Sequence, residues 1–391
     1  MPEYPYRTYV KIDLKQLEMN LQAIKKSLGS TKLMAVMKAD AYGHGIRFCS
    51  RYAAYYVDWF ATATLEEALA VRQENENKPI LILGRLSKSE IPVAAKHRLA
   101  ISVFSLEYAE LVQQILSKQD LQIEAHIKID TGMNRFGFRV RYGKEDLYKC
   151  SGLLSLDRIH FSGVYTHFAA ADSDNQVDRE FTALQWERFI TSCKELENMG
   201  FPSLIRHCSA TGAVFRYPEF KSNMIRTGML ILGQGIPSES ELTTYIHPIL
   251  TWFARIVDIH DIEADESVGY GREYISNHSE RIAVVSCGYA DGYPRALSNN
   301  TQVLVHGVRC PVRGKICMDF MMVDISSVPE AKVGETVILL GRSGDTEILA
   351  EELALKVPFN TNGGITSAIM PRVPRLYWDG VSYIAQTAPV Y

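Results

Sequence analysis

Leu33-Met34-Ala35-Val36-Met37-Lys38-Ala39-Asp40-Ala41-Tyr42-Gly43-His44-Gly45 is an apolar run of strand length, then a lysine, then a loop with two glycines. A strand buried on both faces that hands a polar group to a loop is the elementary unit of a parallel α/β sheet, and barrels of such units carry their chemistry on those loops. A lone lysine at a strand end is most often a solvated charge. Here the run from Leu33 to Met37 argues for burial, and an amine desolvated at a barrel mouth has a lowered pKa suited to Schiff-base chemistry.

The same pattern repeats outward from this stretch. Upstream, Asp13 with Gln16 resembles a capping box and opens a helix on Leu14, Leu17, Leu21, Ile24 and Leu28. Thr64 and Glu67 repeat that start signal before Leu65, Ala68 and Leu69. Strand-like runs fall at 33–37, 58–62, 79–83, 100–103, 123–129, 159–165, 203–207 and 224–230, eight in all, with helical patterns between them. This predicts an α/β fold, a (β/α)8 TIM barrel over residues 1–240, in preference to a doubly wound sheet. After 240 the texture turns to β runs at 252–259, 281–287, 303–312 and 334–340, with His306-Gly307 as a hairpin turn and only 350–356 reading as helix. A mainly β domain is therefore expected over 241–391, with residues 1–10 expected to pair with it.

At 391 residues the chain exceeds what one core usually supports, so two domains are expected on length as well. The formal net charge of −3 and the absence of a Lys/Arg-rich run give no field for a phosphate backbone, so nucleic acid is not an expected partner. No stretch is apolar over the roughly 18 residues of a membrane span, and Met1–Val10 lacks the apolar core of a secretory signal. Seven scattered cysteines without a C-x-x-C pair fit a reducing cytoplasm and no metal site.

The polar residues after the remaining runs cluster by type. Lys128-Ile129-Asp130-Thr131-Gly132-Met133-Asn134-Arg135 puts cations around a glycine-bearing loop, and Thr166-His167-Phe168 follows the sixth run. His207-Cys208-Ser209-Ala210-Thr211-Gly212 and Arg226-Thr227-Gly228-Met229 follow the seventh and eighth. Small residues there can offer backbone N–H groups to an anion, and barrels commonly bind phosphate at these two loops, so a phosphorylated ligand is expected.

In these stretches, and in Val268-Gly269-Tyr270-Gly271, Cys287-Gly288-Tyr289-Ala290-Asp291-Gly292-Tyr293, Cys317-Met318-Asp319 and Arg372-Val373-Pro374-Arg375, the chain resembles the alanine racemases nearly end to end. The resemblance implies pyridoxal 5'-phosphate (PLP) bonded to Lys38, its phosphate held by Tyr42, Ser209 and the backbone of Gly228 and Met229, and Arg226 facing its pyridine nitrogen. An arginine keeps that nitrogen unprotonated, which weakens the cofactor as an electron sink and disfavours side reactions. Lys38 and Tyr270 become the two bases that work on opposite faces, and His167 links Tyr270 to Arg226. Arg135 meets the substrate carboxylate, Lys128 occupies a position open to carbamylation, and Tyr289 narrows the entrance. Tyr270 and Met318 come from the partner in a head-to-tail homodimer.

The implied activity is racemisation of L- and D-alanine in the cytoplasm, supplying D-alanine for the peptidoglycan of the cell wall. One position departs from the family, which usually carries a phosphate-contacting tyrosine where this chain has Gly363. A missing ring predicts a roomier pocket and motivates an alternative, a serine or broad-specificity racemase. A decarboxylase of the same two-domain fold and a non-enzymatic PLP carrier are more distant alternatives.

Overall fold

The computed structural model of the protein describes residues 6–140, 146–208, 213, 216–220, 222–236 and 240–387. β1 (Thr8–Asp13) precedes the barrel strands β2 (Lys32–Val36), β3 (Trp59–Thr62), β4 (Ile80–Ile82), β5 (Ala100–Val103) and β6 (Ile123–Asp130). A two-residue β7 (Phe138–Arg139) lies alongside the end of β6, and β8 (Ile159–Tyr165), β9 (Ile205–His207) and β10 (Met224–Thr227) complete the set. The eight main strands run parallel in the order β10-β2-β3-β4-β5-β6-β8-β9, so every expected strand is present, including the short run at 100–103. The barrel is nearly closed. At the seam between β9 and β10, the Asn223 N–H donates to the Arg206 carbonyl at 3.0 Å and its Oδ1 accepts the Arg206 N–H at 2.9 Å.

Alternation along each strand divides two layers. Leu33, Ala35, Phe60, Ile80, Ile82, Ile101, Val103, Ala125, Ile127 and Ile129 join the large cluster packed against the helices. Met34, Val36, Trp59, Ala61, Leu81, Ala100 and Met224 form a separate cluster, the apolar floor of the barrel interior. The two helix start signals close differently. Thr64 and Glu67 form the full reciprocal capping box, while Asp13 accepts the Gln16 N–H at 3.0 Å and the Gln16 amide turns away to Asn20 Oδ1 at 2.9 Å.

The second domain holds β11 (Leu250–Ile262), a small hairpin β12 (Ser267–Val268) and β13 (Tyr274–Ile275), then β14 (Glu280–Val285), β15 (Gln302–Val305), β16 (Val308–Arg313) and β17 (Met321–Asp324). β18 (Thr336–Ser343), β19 (Thr346–Ile348), β20 (Arg375–Trp378) and β21 (Tyr383–Thr387) follow. Because β11 pairs with both β14 and β18, the strands β11, β14, β17, β16, β15 and β18 close into a ring. β1 lies between β11 and β20, so the start of the chain is built into this second sheet. His306 and Gly307 both have positive φ, 50° and 82°, which is the two-residue turn that matches strand twist between β15 and β16.

The helix Ala350–Leu355 is where the pattern placed it, and a second helix, Asn362–Ser367, is one the pattern did not show. Its sequence, Asn-Gly-Gly-Ile-Thr-Ser, has no apolar period, and its start is fixed by Thr361, whose side chain accepts the Gly364 N–H at 3.0 Å. Among the described residues no helix is long and apolar enough to cross a membrane, and the seven cysteines are free thiols.

Candidate active site

Above the apolar floor the barrel interior turns polar. Ser102, His126, Lys128, Tyr165, His207 and Arg226 are all buried on β5, β6, β8, β9 and β10. The Tyr165 hydroxyl lies 2.7 Å from Ser102 Oγ and its ring stacks on His207 with centroids 4.9 Å apart. Lys128 Nζ sits 5.0 Å and Arg226 Cζ 5.2 Å from the centroid of the Tyr165 ring, placing two cations on one aromatic platform.

Lys38 begins an unusual turn. Ala39, Asp40, Ala41 and Tyr42 have φ of 52° to 54°, four successive left-handed residues in a conformation that costs an L-residue roughly 1–2 kcal/mol each. Named contacts hold it. Glu67 Oε1 accepts the Ala39 N–H at 2.6 Å, and Asp40 Oδ1 accepts the Ile46 N–H at 2.7 Å. His44 Nδ1, 3.0 Å and 2.9 Å from the carbonyls of Ala41 and Tyr42, must carry the hydrogen because carbonyls only accept. Burial lowers the His44 pKa to about 4, so the ring is neutral. From the second domain Arg375 Nε donates to the Gly43 carbonyl at 3.3 Å. Lys38 itself is half-buried, and burial with the nearby Arg135 charge lowers its pKa against an opposing pull from Glu67.

Beyond Lys38 the turn delivers Tyr42 to the loop after β10. A Cβ at Gly228 would lie 2.4 Å from Tyr42 Cε2 and 2.7 Å from its hydroxyl oxygen, so only glycine lets the phenol seat there. The helix Asn362–Ser367 closes the same corner, since a Cβ at Gly363 would meet Tyr42 Cδ1 at 3.1 Å and Met229 Sδ at 3.3 Å. The space next to Gly363 is thus not vacant: the Tyr42 ring and the Met229 thioether border it directly. Burial raises the Tyr42 pKa to about 12, which keeps the hydroxyl a hydrogen-bond donor. Ser209 lies outside the described residues.

Arg226, Lys128, Arg135 and Lys38 gather around His167. Arg226 Nη1 donates to the His207 carbonyl at 2.7 Å and to His207 Nδ1 at 2.8 Å, and Nη2 donates to the Thr166 carbonyl at 2.8 Å and to His167 Nδ1 at 3.2 Å. Burial and the charges of Arg226, Lys128, Arg135 and Lys38 hold His167 neutral, well below its ordinary pKa. Burial, with Arg135 and Arg226, lowers the Lys128 pKa to about 7, an effect Asp130 only partly opposes. Asp130 is itself occupied, accepting the N–H groups of Gly132 at 3.0 Å and Asn134 at 3.1 Å and so shaping the loop that carries the exposed Arg135.

Among the described residues no ion pair engages Lys38, Lys128, Arg135 or Arg226. A mouth that gathers two arginines and two lysine amines of lowered pKa around one histidine, with Glu67 and Asp130 occupied by backbone N–H groups, suits an anionic ligand. PLP would fit such a site: Tyr42 and the backbone at Gly228 would hold its phosphate, and the Lys38 amine would bond its aldehyde.

Tyr270, Tyr289 and Met318 are elsewhere. All three lie in the second domain and are exposed, at 66%, 38% and 53% of their surface. Tyr270 sits in a turn between Gly269 and Gly271, both at positive φ, and the Ala290 N–H donates to the Met318 carbonyl at 3.0 Å beside Tyr289. Among the described residues, no hydrogen bond or ring contact within the chain joins these three to the barrel mouth. The chain thus brings Lys38, Tyr42, Lys128, Arg135, His167, Arg226, Gly228 and Met229 together and presents the other three on an outer face.

Sequence reasoning gave Glu67 only a helix-capping part, passed over Ser102, His126, Tyr165 and Gln185, and gave His207 no role. The alternation Ala125-His126-Ile127-Lys128-Ile129-Asp130 was a signal for His126, since it puts the three polar residues on one strand face. Gln185 carried no local signal. It is buried, accepts the Ala169 N–H at 2.9 Å and donates to Thr131 Oγ1 at 3.1 Å, tying the loops after β6 and β8 together.

A (β/α)8 barrel with a part-buried lysine after its first strand, basic side chains at its mouth and a β domain behind it defines a class: two-domain barrel proteins with a basic site at the barrel mouth. The comparisons narrow this. Residues 12–235 match the family model "Alanine racemase, N-terminal domain" and residues 249–377 match "Alanine racemase, C-terminal domain". The alanine racemase of Halothermothrix orenii is 36% identical over 373 residues, covering 95% of this chain and 96% of that protein. That of Symbiobacterium thermophilum is 34% identical, covering 95% and 97%. The solved alanine racemase of Clostridium difficile superposes with a TM-score of 0.89 at 31% identity, covering 99% of this chain and 100% of that one. The chain belongs to the alanine racemase family.

Proposed function

We propose that this chain interconverts L- and D-alanine with PLP bonded to Lys38. As a member of a racemase family it is an enzyme, an isomerase; the reading of alanine as substrate is supported by relatives named alanine racemase. The single observation that carries the cofactor reading is the half-buried Lys38 amine, its pKa lowered by burial and by the Arg135 charge, with no ion pair to it among the described residues.

When bound, PLP supplies an electron sink for the charge left on the substrate Cα as its proton departs. The rest falls to this chain. Lys38, whose amine is easily neutral, takes or returns a proton on one face. Tyr270 from a second copy of the chain does the same on the other face, in a head-to-tail homodimer. His167 accepts from Arg226 on Nδ1, so its hydrogen is on Nε2 and is available to the Tyr270 phenol oxygen. Arg226 holds a donor that cannot release its proton against the pyridine ring. Arg135 binds the substrate carboxylate, and a carbamate on Lys128 orients it. Met318 and Tyr289 limit the size of what enters. Tyr42, Ser209, Gly228 and Met229 hold the phosphate. We place the reaction in the cytoplasm, supplying D-alanine for peptidoglycan.

The broader-substrate alternative draws no support from these relatives, and Tyr42 and Met229 border the space beside Gly363. The test is circular dichroism of L-alanine and L-serine incubated with the purified, PLP-loaded protein. Alanine should lose its signal fastest, and faster turnover of serine overturns the assignment. Tyr270→Phe should lose most of the rate; PLP binding without racemisation in either protein would mark a cofactor carrier instead.

A further inference from the structure

We propose that His126 is a positioning residue for Arg226, acting through His207 to fix the direction of every hydrogen bond between them. It rests on the reading in which Arg226 faces the cofactor ring, but its first test does not need the cofactor.

The argument begins at the guanidinium, which can only donate. Since Arg226 Nη1 is 2.8 Å from His207 Nδ1, that nitrogen accepts and the ring hydrogen of His207 is on Nε2. His207 Nε2 in turn stands 2.8 Å from His126 Nδ1, which must accept as well. The hydrogen of His126 is therefore on its Nε2, a buried atom without a hydrogen-bond partner. One cation thus dictates the tautomer of two successive imidazoles. Neither ring can take a second proton without setting N–H against N–H, and burial beside Arg226 holds both neutral, His126 at a pKa of about 3.

The backbone is shaped for this ring. The pairing of β6 with β8 shifts register between Ala125 and His126, which sets His126 opposite Gly163. A Cβ at Gly163 would lie 2.6 Å from His126 Nδ1, and the Trp59 ring packs on another side with centroids 4.9 Å apart. A slot among Trp59, Gly163 and the barrel floor would hold an apolar side chain at lower cost, because an apolar group leaves no N–H orphaned. What an apolar residue cannot do is accept from His207. Without that acceptor His207 can move its hydrogen to Nδ1, where it opposes Arg226 Nη1 and displaces the guanidinium.

The experiment is 15N NMR of histidine-labelled, cofactor-free protein, followed by PLP titration. In the unmodified chain both rings should be neutral with hydrogen on Nε2. His126→Phe should shift His207 toward the Nδ1–H form, weaken PLP binding on the order of tenfold and lower kcat more than it changes KM. His126→Asn, whose Oδ1 accepts near the Nδ1 position, should restore the tautomer and the affinity. Gly163→Ala should mimic His126→Phe while leaving every polar group in place. Should His126→Phe not fold, His126→Leu, which also cannot accept, is read in its stead. An unchanged His207 tautomer in His126→Phe, His126→Leu or Gly163→Ala, or no rescue by asparagine, overturns the proposal. Absence of alanine racemisation with the NMR pattern intact refutes the racemase reading alone.

Discussion

Arg226 Nη2 lies 3.2 Å from His167 Nδ1, and the guanidinium, as obligate donor, forces that imidazole to be neutral with its hydrogen on Nε2. His167, part-buried, is one of four histidines held neutral, with the buried His44, His126 and His207. Their folded pKa values lie below the 6.5 of the unfolded chain, so below that pH the unfolded state binds more protons. Their stabilising contribution is whole above pH 6.5 and is lost as pH falls, at up to ~1.4 kcal/mol per pH unit for each ring. Urea unfolding of cofactor-free protein between pH 7.5 and 5 should show this loss. His306, raised by Glu330 and Glu335, works in the opposite sense but is largely exposed. A flat profile over that window would falsify the assignment of neutral rings.

Lys128, with its pKa lowered to about 7, is mostly an uncharged amine at pH 8 and can add carbon dioxide. Protein equilibrated with 13C-bicarbonate at pH 8 should give a carbamate carbon signal that fades below pH 7 and is missing from Lys128→Met. No such signal at pH 8 removes the carbamate from the orientation of Arg135.

Ala39 is exposed and left-handed at φ 53°, a conformation glycine adopts without the Cβ penalty. Ala39→Gly should therefore stabilise the cofactor-free protein by roughly 0.5–1 kcal/mol, after the extra freedom glycine gives the unfolded chain is deducted. Denaturant melts decide it, and a loss of stability means the turn is not left-handed.

If Tyr270 serves the barrel of a second copy, mixing Lys38→Ala with Tyr270→Phe protein should restore activity. Each mixed dimer then holds one intact site, so random reassortment returns about a quarter of the native rate. Should both residues come from one chain, the mixture stays as inactive as its parts.

Much of this protein is legible without coordinates. Strands buried on both faces read as apolar runs, which is why all eight barrel strands, the Thr64–Glu67 capping box and the His306-Gly307 turn are visible in order. These signals act between residues a few positions apart, where the chain itself guarantees contact. The sequence also places Lys38, Lys128, His167 and Arg226 at strand ends, and barrel closure makes those ends neighbours.

What tertiary structure alone decided are the relations between distant segments. Glu67 holds Ala39 across 28 positions, and His126 finds His207 across 81. Two alanines carry no mark of a positive φ, so the left-handed turn is imposed by its surroundings. The space beside Gly363 is bounded by Tyr42 and Met229, which no local pattern relates to it. Proximity of this kind arises only when strands close into a barrel, because hydrogen-bond direction and side-chain crowding depend on position in space rather than on separation along the chain.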